Sequence, residues 1–415
     1  IDIDRDCLTA SGIEVELGGH SIEFASDCDI LIVSPGVPLD NNLISWALTS
    51  GRIVASEIEL AYSLSDAQFI AITGTNGKTT TVSLLGEIFK KAGRNVFVAG
   101  NIGSPISAFV QDMTPDSVAV VEVSSFQLDT CISFKPDIGV LLNVTPDHLD
   151  RYATFEDYIR SKGRLFSNQG HEDIAILNAD DQSVLRAANE AKSQKYYFSI
   201  SKEVDQGIFV KSGDVVARVS DHERVIFNVK DLRIEGPHNL ANSLAATLAA
   251  TLHGIDDEPI ITALREFEGL EHRLELVTMI DGVRFINDSK ATNVDSLRAA
   301  LSATPGKIIL IAGGRDKGGD FKNLKALVKQ KVKAIIALGE SSGRFRQIFQ
   351  DVTDVRIVQC LEEGVSLAWG LASKGDTVLL SPGCASFDMF TNFEERGRVF
   401  KHAVLDLAKR EKQNA

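Results

Sequence analysis

Several features that would assign a chain to a membrane, a secreted scaffold or a zinc protein are missing from this sequence. No run of about 18 apolar residues occurs, so no transmembrane helix is predicted, and no signal peptide opens the chain. The cysteines are odd in number and show no C-x-x-C spacing, which indicates neither a disulfide framework nor a zinc site; they are Cys7, Cys28, Cys131, Cys360 and Cys384. This cysteine usage is typical of the reducing cytosol, so we expect a cytoplasmic protein.

Basic clusters are missing as well. The chain has 43 lysines and arginines against 57 aspartates and glutamates, a net charge of −14. Because a nucleic-acid interface needs a concentrated basic surface, we expect no nucleic-acid partner, and we expect no membrane partner. Anionic substrates must therefore be bound by individual basic residues. Internal repeats and low-complexity segments do not stand out either.

Size and composition predict an α/β protein of three domains. The chain has 415 residues, of which 44% are hydrophobic and 24% charged, as in ordinary globular proteins. Residues 1–66 are predicted to form a small Rossmann-like unit, in which a buried strand at 29–33 leads into the Ser34-Pro35-Gly36 turn. Ile1 is not an initiator methionine and IDID reads like the end of a strand, so we expect this first domain to lack an opening βα unit of about 30 residues.

The second predicted domain, residues 67–268, reads as a parallel sheet covered on both faces. Its apolar strands alternate with helical stretches and lie at 69–73, 118–123, 138–144 and 174–179. Short segments between 195 and 235, punctuated by glycine and aspartate, predict a small antiparallel addition at the sheet edge. The alanine-rich stretch 238–254 predicts a long helix that Gly254 ends.

The third predicted domain, residues 269–415, reads as a second doubly wound, Rossmann-like sheet. After a linker at 266–277, five strands alternate with helices; they lie at 284–288, 307–314, 332–339, 355–360 and 376–382. Ligands of such sheets bind beyond the carboxyl ends of the strands. Polar residues follow three of these ends, at 288–292, 313–317 and 381–386.

The clearest chemistry lies at 69–81, where an apolar strand runs into a short glycine loop and a helix opens at Lys78. Such a junction directs backbone N–H groups at an anion, while the lysine and Thr79 can serve phosphate oxygens and Mg²⁺. The general phosphate-loop pattern has glycine five positions before Gly77, whereas this chain has Ile72. An alternative, in which the glycines only shape a turn, explains neither the lysine nor the threonine run.

Two ionisable residues at predicted strand ends are further candidates. Glu122 lies in the apolar stretch VVEVSSFQL, where burial of a carboxylate is costly unless it is paired or metal-bound. We therefore predict a Mg²⁺ ligand, with a structural salt bridge as the alternative. His148 follows the next strand between acidic residues, and it is either a site residue or a structural histidine.

Seven ordered motifs between residues 28 and 403 resemble the muramyl ligase family of bacterial cell-wall synthesis. They read TGTNGKTT, VEVSSFQL, NVTPDHLDRY, GPHNLANSLAA, GLEHRLE, INDSKATNVDS and SPGCASFDMFTNFEERG. Within the family, DSKATN and the last motif are similar to the branch that adds D-glutamate to UDP-N-acetylmuramoyl-L-alanine. These motifs distinguish it from branches that add alanine or diaminopimelate, and from folylpolyglutamate synthases.

The resemblance implies an ATP site and two Mg²⁺ sites. The implied ATP-binding residues are Gly74, Thr75, Asn76, Gly77, Lys78, Thr79, Thr80, Asn239, Asn242, Arg273 and Asp288. One Mg²⁺ would be held by Thr79 and Glu122, and the second by His148 with a carbamylated Lys162. Carbamylation would turn a cation into the oxygen ligand that Mg²⁺ prefers; the alternative is a plain lysine that faces phosphate.

The resemblance also implies residues for the other two substrates. Those for the nucleotide-sugar are Ser34, Gly36, Asn101, Ser124 and Ser125. Those for D-glutamate are Thr292, Lys317, Ser386 and Phe393, with Lys290 at the reaction centre. Since a glycine-rich opening of the first domain is missing, we expect weak nucleotide-sugar binding.

The expected mechanism is phosphorylation of a carboxylate by ATP, followed by attack of the amine. We expect the third domain to close over the site during the reaction. We expect the enzyme to be a monomer. Two other functions remain open at this point. One is a nucleotide-binding module that forms no amide, and the other is a folate glutamyl ligase.

Overall fold

The computed structural model describes residues 5–35, 37–101, 103–147, 151–220, 222–234, 236–316 and 318–414. The described chain contains three separate sheets, of two, nine and six strands. The α/β class and the three-part organisation predicted from the sequence are confirmed, whereas the domain boundaries at 66 and 268 stay predictions. Within the described residues, no helix is both long and apolar enough to cross a membrane.

The amino-terminal unit is built on a two-stranded parallel sheet. Its elements are α1 (Arg5–Ala10), β1 (Ile30–Val33), α2 (Asn42–Thr49), β2 (Ile53–Ser56) and α3 (Glu57–Ser63). One face packs on α2 through a small cluster of Val33, Val54, Ile44 and Ala47. The other face is open, since Ile30 and its paired Ile53 are 51% and 48% exposed. The predicted strand therefore exists, but the prediction that it is buried was wrong, because no second layer among the described residues covers this face.

The middle unit has nine strands in the order β11-β10-β9-β8-β7-β6-β3-β5-β4. The strands are β3 (Gln68–Thr73), β4 (Val96–Gly100), β5 (Val118–Glu122), β6 (Ile138–Leu141), β7 (Ile174–Asn178), β8 (Gln194–Ser199), β9 (Gly207–Lys211), β10 (Asp214–Val219) and β11 (His222–Asn228). The helices are α4 (Lys78–Lys91), α5 (Ser125–Leu128), α6 (Phe155–Gly163), α7 (Gln182–Ala187), α8 (Pro237–Leu252) and α9 (Asp257–Glu266).

Both faces of this sheet are covered, as the apolar runs predicted. In β3, Ile70 and Ile72 pack into the core under α4, α8 and α9, whereas Phe69 and Ala71 pack into the opposite core with α6. Successive strand residues point to opposite faces, so a strand buried on both sides has to be apolar throughout. The parallel register of β3 with β5 and β6 aligns their carboxyl ends.

Two details of this unit differ from prediction. The pairs β9 with β10 and β10 with β11 are antiparallel, as expected, but β8 pairs in parallel with both β7 and β9. The last of the short segments predicted between 195 and 235 contributes no strand, since residues 232–234 lie outside β11. The long helix is confirmed as α8. Gly254 follows its C-cap at φ 83°, and the N–H of Ile255 reaches back to the carbonyl of Ala250, a Schellman ending.

The third unit has six strands in the order β12-β13-β17-β14-β15-β16. The strands are β12 (Glu275–Ile280), β13 (Val283–Asn287), β14 (Ile308–Gly313), β15 (Val332–Leu338), β16 (Asp354–Ile357) and β17 (Thr377–Leu380). The helices are α10 (Val294–Ala303), α11 (Lys325–Lys331), α12 (Ser342–Phe349), α13 (Leu361–Leu371) and α14 (Phe393–Asn414). The five predicted strands are confirmed and mutually parallel. The predicted linker at 266–277 was partly wrong, because its end begins β12, which pairs antiparallel with β13.

Candidate active site

The loop between β3 and α4 has the geometry of an anion site. Lys78 is the first residue of α4, so the free N–H groups and positive end of a 14-residue helix face the loop. Gly77, the N-cap, has φ 89°, and a Cβ there would collide with the carboxamide of Asn242. Glycine is therefore required twice over, for the backbone conformation and for the close approach of α8.

Two lysines converge on this loop from different helices. Lys78 Nζ donates to the carbonyls of Gly74 and Thr75, both at 2.8 Å, and Lys162 Nζ donates to the same Gly74 carbonyl at 3.0 Å. Burial lowers the pKa of both ammonium groups, and for Lys162 the charge of Lys78 lowers it further. An anion placed here would relieve this desolvation and repulsion.

Glu122, at the end of β5, is 3% exposed and is held by neutral donors. Its Oε2 accepts from the hydroxyl of Thr79 at 2.8 Å, and its Oε1 accepts from Asn101 Nδ2 at 3.1 Å. Within the described part of the chain it forms no ion pair, so the structural salt bridge finds no support. The hydroxyl and carboxylate oxygens are hard donors of the kind that Mg²⁺ takes, and they fit the ion.

Lys290, from the loop after β13, reaches this cluster from the third unit. Its Nζ donates to the hydroxyl of Thr79 at 2.8 Å, and the ammonium lies 5.5 Å from the ring of Phe393. Burial lowers its pKa to about 8, an effect that the nearby Glu122 carboxylate opposes. A cation of the third unit thus touches the first turn of α4 in the middle unit.

A cavity of about 250 Å³ opens beside the loop, between the middle and third units. Of the predicted ATP residues, it is lined by Asn76, Gly77, Asn242, Arg273 and Asp288. Burial raises the pKa of the Asp288 carboxyl to about 7, although Ser381 donates to it at 2.8 Å and the charge of Arg273 acts in the opposite direction. Asn242 Nδ2 is buried and has no hydrogen-bond partner among the described residues, so it is available to a ligand.

Two predicted ATP residues lie elsewhere. Thr80 and Asn239 line a larger cavity, of about 720 Å³, beside the connection between the middle and third units. Arg273 borders both cavities. Of the eleven predicted ATP residues, five therefore line the first cavity, and Thr80 and Asn239 line only the second. The remaining four line neither cavity; they are Gly74, Thr75, Lys78 and Thr79.

The residues predicted for the nucleotide-sugar lie toward the first unit. Ser124 caps α5 and Ser125 is buried, both directly after β5. Ser34 is exposed in the loop after β1, and Arg151 NH1 of the middle unit donates to the carbonyl of Pro35 in that loop at 3.1 Å. Gly36 and His148 lie outside the described residues. Of the two residues predicted to hold the second Mg²⁺, the structure therefore describes only Lys162.

The residues predicted for D-glutamate follow neighbouring strands of the third sheet. Thr292 follows β13, and the buried Ser386 follows the adjacent β17. The N–H of Gly383 donates to the carbonyl of Ala291 at 2.8 Å, which joins the two loops. Phe393 begins α14. Lys317 lies outside the described residues.

Sequence comparisons decide the family. Residues 72–250 match the family described as Mur ligase middle domain, and residues 272–384 match Mur ligase, glutamate ligase domain. The chain belongs to the Mur ligase family. It is 46% identical over 410 residues to the UDP-N-acetylmuramoylalanine–D-glutamate ligase of Pelotomaculum thermopropionicum, covering 98% of this chain and 90% of that one. The ligase of the same name from Acidobacterium capsulatum is 45% identical, with 97% and 88% covered.

Solved structures agree with this Mur ligase in fold. A pseudomurein peptide ligase type C of Methanothermus fervidus superposes with a TM-score of 0.64 at 20% identity, covering 97% of this chain and 92% of that one. The MurF ligase of Thermotoga maritima, solved with ADP, gives 0.63 at 18% identity, with 93% and 96% covered.

Several residues that shape this Mur ligase site were not predicted. The far wall of the 250 Å³ cavity includes Asn178, Phe198, Ile200 and His238, and burial lowers the pKa of the His238 imidazole to about 4. Asn178 ends β7, so the strand-end rule could have found it. Phe198 and Ile200 lie at the end of β8, where the same rule applies, whereas the place of His238 depends on how α8 packs beside β8.

Proposed function

We propose that the protein joins the amino group of D-glutamate to the alanyl carboxylate of UDP-N-acetylmuramoyl-L-alanine, using ATP, in peptidoglycan precursor synthesis. The relatives that carry this activity in their names align with nearly the whole chain and support the substrate set. The structural observation that carries the proposal is the meeting of Thr79, Glu122 and Lys290. This contact joins the phosphate loop to the unit that would hold the amino acid.

The chemistry explains why ATP is needed. A carboxylate is a poor electrophile, so its oxygen first takes the γ-phosphoryl group of ATP, which leaves ADP and an acyl phosphate. The amine of D-glutamate then attacks the carbonyl carbon and loses a proton, and the tetrahedral intermediate expels inorganic phosphate to leave the amide. Little covalent work falls to the protein, because positioning and charge stabilisation supply most of the catalysis.

The loop residues would supply that stabilisation. Lys78 now donates to two loop carbonyls, and it would exchange them for phosphate oxygens. The N–H groups at the start of α4 face the same oxygens. Lys290, which reaches the loop from the third unit, would lie between the phosphate and the incoming amino acid, where it lowers the energy of the negatively charged transition state.

Magnesium completes the charge balance. Thr79 and Glu122 would hold one ion, which when bound neutralises phosphate charge. We further propose a second ion, held by His148 and a carbamylated Lys162. The lowered pKa of Lys162 favours this modification, because only the neutral amine can attack carbon dioxide; a plain phosphate-facing lysine is the alternative.

The remaining assignments follow the placement of the residues. Ser34, Asn101, Ser124 and Ser125 would contact the nucleotide-sugar between the first and middle units, and the loops after β13 and β17 would hold D-glutamate. We propose a monomer in the cytoplasm, where ATP is available. Cys28, Cys131, Cys360 and Cys384 are free thiols, and this supports the proposal of a reducing compartment.

The test is phosphate release by the purified protein, with single omissions of ATP, the nucleotide-sugar and D-glutamate. Release should require all three, and tetrahydrofolate should not replace the nucleotide-sugar. Lys78→Ala should reduce the rate by at least about a hundredfold and leave the unfolding temperature unchanged. Lys90→Ala is the matched control, because this exposed lysine of the same helix forms a surface ion pair with Glu87. Full activity of Lys78→Ala, or release without D-glutamate, would contradict the proposal.

A further inference from the structure

The first turn of α10 contacts the middle unit through two side chains. Asn293 is the N-cap of this helix: its Oδ1 accepts from the N–H of Ser296 at 2.8 Å, and its Nδ2 donates to Asp147 Oδ2 at 3.0 Å. One turn further, Ser296 Oγ donates to Asn76 Oδ1 at 2.7 Å. Both contacts therefore leave the third unit from one helical turn and end on the middle unit.

The two acceptors lie in the loops that carry the proposed chemistry. Asn76 belongs to the phosphate loop, and Asn143 fixes its backbone from both sides, by accepting its N–H at 2.8 Å and donating to its carbonyl at 2.9 Å. The side chain of Asn76 can therefore accept a hydrogen bond from the third unit. Asp147 lies in the loop after β6, immediately before the proposed metal ligand His148.

We propose that Asn293 and Ser296 are positioning residues that latch the third unit onto the phosphate loop and so place Lys290 at the reaction centre. The identity of that centre rests on the proposed function. Lys290 lies three residues before Asn293 and donates to Thr79 at 2.8 Å, so any movement of the first turn of α10 moves its ammonium. Since Asn293 does not line the nucleotide cavity, it offers a probe of closure that spares the ATP contacts.

The geometry permits a charge-swap test. Asn293→Asp keeps an N-cap oxygen for Ser296 but replaces the donated N–H by a carboxylate that faces Asp147, so the latch should open. Asp147→Asn alone should keep it shut, because two amides can still bond. In the double variant Asn293→Asp/Asp147→Asn, the new amide donates to the new carboxylate, and the latch should close again.

The readouts are hydrogen exchange of the 74–79 backbone and the small-angle scattering radius, both measured without substrates. Exchange should be about tenfold faster in Asn293→Asp than in the unaltered protein, and the radius of gyration should be larger. In the double variant, both values should return to those of the unaltered protein. Unaltered exchange in Asn293→Asp, or no return in the double variant, would overturn the proposal. Because no turnover is involved, this result is separate from failure of the ligase assay.

Kinetics give the second readout. Ser296→Ala should lower kcat about tenfold, whereas Ser302→Ala should leave it unchanged. Ser302 is the matched control, since it lies on the same helix, is exposed, and bonds only to the carbonyl of Arg298 through its hydroxyl. Equal kcat values for the two variants would overturn the role of Ser296.

Discussion

Lys162 shows how burial can change the chemistry of one side chain. It is 1% exposed, donates to the carbonyl of Gly74 at 3.0 Å, and lies 4.7 Å from the ring of Tyr158. Desolvation lowers its pKa well below the usual value, and the charge of Lys78 adds to that effect. A lowered pKa raises the neutral, nucleophilic fraction of the amine, so the same environment that disfavours the ammonium favours a carbamate.

If Lys162 is carbamylated, Lys162→Ala should lose most activity, and acetate should restore part of it by supplying an oxygen ligand. Lys78→Ala should not respond to acetate, because that variant lacks a cation rather than an oxygen. The measurement is the initial rate against acetate concentration, with ¹³C-bicarbonate NMR of the unaltered enzyme. Absence of a carbamate signal together with no acetate rescue would leave the plain lysine as the correct description.

Asp288 should make stability depend on pH. Its folded-state pKa is about 7, raised by burial from an unfolded value near 3.8. The folded protein therefore holds a proton that the unfolded chain has released, so the contribution of Asp288 to stability is complete below about pH 4 and is lost as pH rises to about 7. In that window the free energy of unfolding should fall by up to about 1.4 kcal/mol per pH unit.

Asp288→Asn removes this titration, so its free energy of unfolding should not show this fall. The difference between the variant and the unaltered protein should therefore grow in favour of the variant as pH rises from about 4 to about 7. Urea unfolding at several pH values between about 4 and 7 measures the difference. Parallel profiles for the two proteins would show that Asp288 does not titrate there.

At the scale of elements, the sequence predicted what local patterns determine. The loop at 74–77 was predictable because glycine, lysine and threonine follow an apolar strand directly. The strand β12 was missed because its residues are only partly buried, so neither a continuous apolar run nor a clean alternation marks it. The direction of β8 depends on where the chain goes after Ser199, which no local pattern specifies.

The same limit applied to the site. Glu122 could be predicted because a carboxylate is unusual in an apolar strand. Lys78 could be predicted because it directly follows a glycine loop. Asn293 and Ser296 look like ordinary capping residues, and their contacts with Asp147 and Asn76 span 146 and 220 positions. Only the packing of the third sheet against the middle one reveals them.

Arg396, in the first turn of α14, joins three elements at a buried point. It is 1% exposed; Nε donates to Ser289 Oγ at 3.0 Å, NH2 to the carbonyl of Ser289 at 2.8 Å, and NH1 to the carbonyl of Cys384 at 3.2 Å. Burial lowers its pKa to about 10, so it stays charged near pH 7. It thereby ties α14 to the loops after β13 and β17, which carry Lys290 and Ser386.

Arg396→Met should leave those carbonyls without a donor, destabilise the protein by about 1–3 kcal/mol, and raise the KM for D-glutamate more than that for ATP. Arg398→Met, two residues further along the same helix and exposed, should change neither. Urea unfolding and initial rates provide the two readouts. An unaltered KM for D-glutamate in a folded Arg396→Met protein would show that the two loops hold their positions without it.

At the scale of the whole molecule, the three sheets separate the proposed binding sites. The nucleotide cavity lies between the middle and third sheets, and the proposed amino-acid site lies at the carboxyl ends of β13 and β17 in the third sheet alone. Composition and strand spacing predicted the three units. Their mutual packing was beyond the sequence, because it depends on contacts between residues far apart in the chain, such as Ile58 of α3 in the core of the middle unit and Asn293 with Asp147.

This separation predicts independent losses of substrate affinity. Asn242 borders the nucleotide cavity, whereas Ser386 is buried in the loop after β17. Asn242→Ala should raise the KM for ATP about tenfold and leave that for D-glutamate nearly unchanged, and Ser386→Ala should do the reverse, since each removes hydrogen-bonding capacity at one site only.

The predicted selection for D-glutamate extends this test to the substrate. D-Glutamate carries two carboxylates, so its site needs two separated anion contacts, which we predict from Thr292, Lys317 and Ser386. A site that would bind two carboxylates loses a favourable contact when one of them is missing, so D-glutamine and D-alanine should be poor substrates. Lys317→Ala should raise the KM for D-glutamate far more than the KM for ATP. Initial rates against each substrate in turn measure both effects; efficient use of D-alanine, or equal changes in the two KM values, would place the amino-acid site elsewhere.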